Sequence, residues 1–292
     1  MKHYIIFLLI IFSQLLASCS EENFAEEEAA QLVVEGWIDA GDYPIVMLSK
    51  TIPASNIKYD ELKDYIIRWG KVTISDGENE VILTGRKSDK HFPPYIYTTT
   101  KMIGEAGKTY YLTAEYKNES KNINLYATAQ TTIPPKIEAE RIVAEYNNGI
   151  YSVGAIINDN PNEKNYYKCF VRVIGRDNDY LSSNLSIIND EHTTFPYKMP
   201  IEAGKSSVYE EFDRYSISEQ NALMIKVAQI DSVAYNFWDD YKNMMELGQN
   251  PFFRYSSNIR SNISGGLGYW IGYGATEYLC KPYKHNEPIK LK

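Results

Sequence analysis

Apolar residues at every second position, in short runs broken by turn residues, constrain this chain more than any other feature. Between 167 and 173, Tyr167, Cys169, Val171 and Val173 fall on one side, with Lys168, Phe170 and Arg172 on the other. That period belongs to a β-strand, whose successive Cβ atoms point to opposite faces of a sheet. Residues 32–38, 45–48, 71–75, 107–116, 126–132 and 223–230 read as strands for related reasons. Asp76-Gly77 and Asn148-Gly149 stand between such runs and mark hairpins, because Asp, Asn and Gly tolerate positive φ. The first of these connections, 76–79, has four residues, so a bulged turn is expected there.

One segment breaks the pattern. From 232 to about 247, Ala234, Phe237, Trp238, Tyr241 and Met245 recur at spacings of three and four, an amphipathic helix about 24 Å long. Asp231 or Ser232 caps its start and Gly248 its end. The aromatic stripe either packs across a sheet or lines a ligand groove with Trp238 and Tyr241. Ile133-Pro134-Pro135 marks an extended boundary, since proline removes a donor and restrains the residue before it. The run Gly107-Lys108-Thr109-Tyr110-Tyr111-Leu112 is reminiscent of immunoglobulin-like and fibronectin-like sandwiches, where a tyrosine anchors a corner through its hydroxyl. The fold class expected is therefore mostly β: two immunoglobulin/fibronectin-like β-sandwich domains, 32–134 and 135–292, the second carrying the helix.

The N-terminus sets the location. Lys2 precedes the apolar run 5–12, then Leu16-Ala17-Ser18-Cys19. The apolar stretch is short of the roughly 20 residues a membrane span needs, while a basic start and small residues before a cut fit a signal peptide. The segment resembles a bacterial lipoprotein signal, 1–18, with Cys19 as the lipidation site. Residues 19–31 then form an acidic tether, five carboxylates lying between 21 and 28. Like charges extend such a segment. Ser20-Glu21-Glu22 after the cysteine also resembles the export signal of Bacteroidetes-type surface lipoproteins. Removal of Lys2 takes the formal net charge from −8 to −9. An acidic chain without a basic stripe is a poor nucleic-acid binder, and the partner expected is not a nucleic acid.

No catalytic constellation stands out. His91, His192 and His285 are far apart, and neither a His-Glu-x-x-His nor a Gly-x-Ser-x-Gly motif occurs. A Ser-His-Asp set assembled in space stays open. The oxygen-rich run 159–163 lacks the ligand spacing of a calcium loop and reads as an Asx-Pro turn. No metal and no cofactor is expected. After Cys19, only Cys169 and Cys280 remain, either as buried thiols or as one bridge. The segment 258–270 is rich in glycine, which suits bulges or a close approach to neighbouring backbone. Tyr269, Trp270 and Tyr273 follow it as candidate ligand-binding residues, a stacking platform for a glycan or peptide, or else as the end of the core.

Three places carry a family resemblance: Leu32-Val33-Val34-Glu35-Gly36-Trp37-Ile38, the run 107–112, and 258–268. Together they resemble an uncharacterised family of Bacteroidetes-type outer-membrane lipoproteins found beside TonB-dependent receptors. The resemblance implies an outer-membrane, surface-exposed protein held by its N-terminal lipid. It also implies a non-catalytic binding role accessory to TonB-dependent uptake, with a TonB-dependent receptor as partner. A surface glycan or peptide hydrolase and a structural or adhesive module are the alternatives.

Overall fold

The structure is a computed structural model. It describes residues 30–52, 63–148, 150–159, 163–204, 217–218, 221–247, 259–282 and 288–291. The signal segment, Cys19 and the acidic tether lie outside these residues. Strand β1 is Leu32–Asp39, β2 Ile45–Lys50, β3 Lys71–Ser75, β4 Glu80–Ile82, β5 Thr84–Lys87, β6 Tyr95–Thr98, β7 Thr109–Asn118 and β8 Ile123–Thr132. Strands β9 Arg141–Asn147, β10 Ile150–Ile157, β11 Tyr166–Val173, β12 Leu181–Asn189, β13 Tyr197–Ile201, β14 Ile217–Ser218 and β15 Leu223–Ile230 follow. Helix α1 is Ser232–Leu247, and β16 Gly266–Cys280 and β17 Ile289–Lys290 end the described chain. The protein is mostly β, its sheets arranged as in a sandwich, with one long helix late in the sequence, as alternation and helical spacing predict.

A single nine-stranded sheet runs through the molecule in the order β12-β11-β15-β16-β1-β2-β6-β5, with β17 alongside β16. Two four-stranded sheets pack on one of its faces. One, β4-β3-β7-β8, closes a core around Leu32, Val34, Val46, Ile74, Leu112 and Trp270. The other, β13-β10-β14 with β9 beside β10, closes a second core around Val153, Ile157, Cys169, Val171, Ile225 and Tyr278. Both cores are aliphatic and aromatic, and their burial is the main favourable term in folding. A third cluster lies on the opposite face, where Ala234 of α1 meets Phe170, Ile271, Tyr273 and Ala275.

Strand β16 joins the two halves. Its first eight residues pair in parallel with β1, from Leu32 against Gly266 to Asp39 against Tyr273. The rest pairs antiparallel with β15, from Gln229 against Gly274 to Leu223 against Cys280. Parallel partners need a crossover rather than a hairpin, and here nearly the whole chain supplies it. The glycines of 258–268 now have a reason. Gly268 sits at φ +108, and a Cβ there would stand 1.9 Å from the Val34 carbonyl oxygen. Beside it, Asn262 acts as a substitute strand partner, its side chain donating to Trp270 O at 2.7 Å and accepting from Trp270 N at 2.9 Å.

Local signals read from sequence reappear as hydrogen bonds. The Tyr110 hydroxyl accepts from Glu105 N at 2.9 Å and donates to Ile103 O at 3.1 Å, a tyrosine corner. In the 76–79 turn, Gly77 has φ +92 and Asp76 Oδ1 accepts from Glu78 N and Asn79 N. Asn148 has φ +50 between β9 and β10. Cys169 and Cys280 are both free and buried, and burial pushes the Cys169 thiol up to about 12.

Candidate functional site: a groove on the outer face of the long sheet

The face of the long sheet turned away from both cores gathers charge and aromatic area. On β1, Leu32, Val34 and Ile38 enter the first core, so Val33, Glu35, Trp37 and Asp39 stand on the outer face. Register with β16 sets Tyr269 beside Glu35 and Tyr273 beside Asp39. Helix α1 covers part of this face. Its N-cap is Asp231, whose carboxylate accepts from Ala234 N at 2.7 Å, and burial still raises that carboxyl above its usual range. The guanidinium of Arg260 grips Asp240 of α1 through two bonds, 2.7 and 2.8 Å, tying the segment before β16 to the helix.

What the helix leaves open is a groove of about 1470 Å³. Its floor is Val33, Glu35 and Trp37 of β1, Met47 of β2, Phe170 of β11, Lys226 of β15 and Tyr269 of β16. One wall is Phe237, Trp238, Tyr241 and Met244 of α1, and the rim includes parts of 89–94 and 176–182. Small-molecule pockets usually hold about 300–1,000 Å³, so this groove suits something longer. Trp238 meets Phe170 edge-on at 5.1 Å between centroids and donates its indole N–H to the Tyr273 hydroxyl at 3.0 Å. Trp238 thus packs on the sheet and also borders the groove.

Two charges, Lys226 and Glu35, stand on the floor, and a third, Asp39, meets the first of them. Lys226 Nζ lies 2.5 Å from Asp39 Oδ2 and 4.5 Å from the Tyr273 ring centroid, a paired cation sitting on aromatic faces. The other Asp39 oxygen and the Tyr180 hydroxyl are buried with no hydrogen-bond partner among the described residues. Glu35 differs. No donor among the described residues meets its carboxylate, and burial alone pushes it above the usual carboxylate range. Next to the groove, Lys168 is 1 % exposed, donates to Ser183 O at 2.5 Å, and is pushed down to about 7 by burial.

At the rim, Ser88 Oγ is 2.7 Å from His91 Nδ1, and His91 Nε2 is 3.3 Å from Asp179 Oδ2. These are the residue types of a hydrolytic triad. Ser88 is not among the residues lining the groove, and burial holds His91 below its ordinary value. The contact ties the 88–94 loop to the 176–181 loop, and the His91 ring rests near Trp37 at 6.0 Å.

The structure separates the residues that sequence put together as a platform. Tyr269 is half-buried with its ring tilted against Phe237 at 4.6 Å between centroids, and Tyr273 is buried beneath Trp238; both touch the groove. Trp270 faces the other way, fully buried in the first core, its indole donating to Tyr110 O at 3.0 Å. Neighbours in a strand point to opposite faces, so Trp270 is not part of one exposed surface with Tyr269. Glu35, Trp37 and Lys226 were missed as site residues. The alternation of 32–38 was the available signal, since it puts a glutamate and a tryptophan together on the face opposite Leu32 and Val34. Of the oxygen-rich run, Asp159 accepts from Tyr167 at 2.6 Å and Asn165 at 2.9 Å, while 160–162 lie outside the described residues. Among the described residues no three His, Cys, Asp or Glu side chains gather as metal ligands would.

No curated protein matches the chain. A family model described as Domain of unknown function (DUF4249) matches residues 21–278, most of the length, and the protein belongs to that family.

Proposed function

We propose that this protein is a surface-exposed outer-membrane lipoprotein, held by acyl chains on Cys19, that binds a ligand or partner for a TonB-dependent uptake system and performs no chemistry itself. The observation that carries the binding role is the groove: about 1470 Å³, walled by aromatic side chains and opening on the face of the long sheet that no second sheet of the described residues covers. Aromatic rings give rigid contact area at low entropic cost. The anchoring part rests on Leu16-Ala17-Ser18-Cys19 and the acidic residues after it, and two or more acyl chains give stable attachment.

The test is co-purification. With a tag after Lys292 and native outer membranes extracted in mild detergent, a TonB-dependent receptor is expected in near-equal amount. Recovery of the protein alone would sink the accessory role. Separately, Cys19→Ala should release the protein from the membrane, and continued retention would refute the anchor.

One observation favours a second reading, a surface hydrolase: the Ser88–His91–Asp179 contacts. Ser88→Ala should then abolish any hydrolysis of peptide or glycan pools by the wild type. Wild-type protein without such hydrolysis removes this reading.

A further inference from the structure

The groove's charge and length specify its occupant further than "ligand". This inference rests on the groove being the binding site. Of the basic side chains on its lining, Lys226 is bonded to Asp39, Arg176 to Asp177 and Arg260 to Asp240, His91 faces Asp179, and Lys90 stands on the rim rather than on the floor. Glu35 is the opposite case, a carboxylate on the floor that meets no cation or donor among the described residues. Its neighbours on the same face are Trp37, two residues along β1, and Tyr269, its register partner on β16. A desolvated carboxylate flanked by ring faces offers an ammonium or guanidinium both an ion pair and cation–π attraction. A neutral ligand would stack on the same rings and leave the charge uncompensated.

Length argues for a chain rather than a free amine. From Val33 to Trp37 the floor runs four residue steps, roughly 13 Å at about 3.3 Å each, enough for about four residues of extended peptide, and the groove's volume of about 1470 Å³ leaves room for its flanks.

We infer that the groove takes an extended basic peptide, with a Lys or Arg side chain of that peptide seated on Glu35 beside Trp37 and Tyr269.

The experiment uses the full chain in mild detergent, immobilised, and N-acetylated, C-amidated octapeptide pools. The fourth position is fixed as Arg, Lys, norleucine or Glu, and the others are randomised. The Arg and Lys pools should be retained at least tenfold over norleucine, and Glu35→Gln should erase that preference. Glu35→Gln removes a desolvated charge, so its melting temperature should equal or exceed that of the wild type, which separates lost binding from lost folding. Equal retention of the norleucine and Lys pools overturns the inference, as does an unchanged preference in Glu35→Gln. Retention of a neutral hexasaccharide in place of every pool also overturns it. Spermidine displacing the Lys pool at equal concentration would overturn the peptide and point to a free amine. A protein that holds basic peptides yet purifies without a receptor keeps this inference and loses the uptake role; the converse result does the reverse.

Discussion

On the inner face of β16, Trp270 is fully buried and its indole N–H is bonded to a carbonyl of the opposing sheet. One residue earlier, on the outer face, Tyr269 is half-buried against the helix and borders a carboxylate that has no partner among the described residues. The contrast holds along the sheet. Inner positions of β1 are Leu32, Val34 and Ile38; outer ones are Glu35, Trp37 and Asp39. The inner face is built for cohesion, and substitution there should be costly. The outer face carries Lys168, Lys226, Asp39 and Glu35 under partial cover. Desolvated charges are a poor way to gain stability, because hydration lost on burial often exceeds what pairing returns. Their presence agrees with the binding role proposed for this face.

Four substitutions sharpen or break this comparison. Trp270→Ala should have the largest effect, a loss of about 3–5 kcal/mol in urea unfolding, from the cavity and the freed Tyr110 carbonyl. A loss below about 1 kcal/mol would mean that the inner face is not the cohesive one. Gly268→Ala should cost roughly 2–4 kcal/mol, combining positive φ with a clash on the Val34 carbonyl oxygen. Lys168→Met should go the other way and stabilise by about 1–3 kcal/mol at pH 7. Its pH dependence has a fixed sign. The folded lysine releases its proton near 7, the unfolded one near 10.5, so between these values the unfolded chain binds more protons. Wild-type stability contributed by this group therefore rises from pH 7 towards 10, and the advantage of Lys168→Met should shrink over that range. A pH-independent difference in melting temperature would show that Lys168 is solvated. The smallest effect belongs to Tyr110→Phe, about 1 kcal/mol. It removes the corner bonds to Glu105 N and Ile103 O while keeping the ring in the core, and calorimetry would register it.

Much of the fold was legible because its signals are local. Alternation identified most of the long strands, Asp76-Gly77 and Asn148-Gly149 gave turns, and the three-and-four spacing from Ala234 to Met245 matched Ser232–Leu247. The tyrosine corner was readable for the same reason, its partners lying five and seven residues from Tyr110. The pairing of β1 with β16 left no local trace, since Gly266 lies 234 positions after Leu32. The groove went unseen with it: Glu35 and Tyr269 become neighbours only through that pairing. Lys168 shows a different limit. Its position opposite Cys169 was correct, yet its burial depends on Trp238 and Ser183, which come from α1 and β12.

The order in which the chain becomes available makes β16 a timing device. At about 5–20 residues per second of synthesis, the 234 residues from Val33 to Gly266 take about 12–47 s to appear. Until then one edge of β1 has no strand to receive its hydrogen bonds, and the first core lacks Trp270. An unpaired edge is an invitation to foreign strands. A C-terminal truncation before residue 266 would make that interval permanent, so every fragment of this protein meant to be soluble has to include its penultimate described strand.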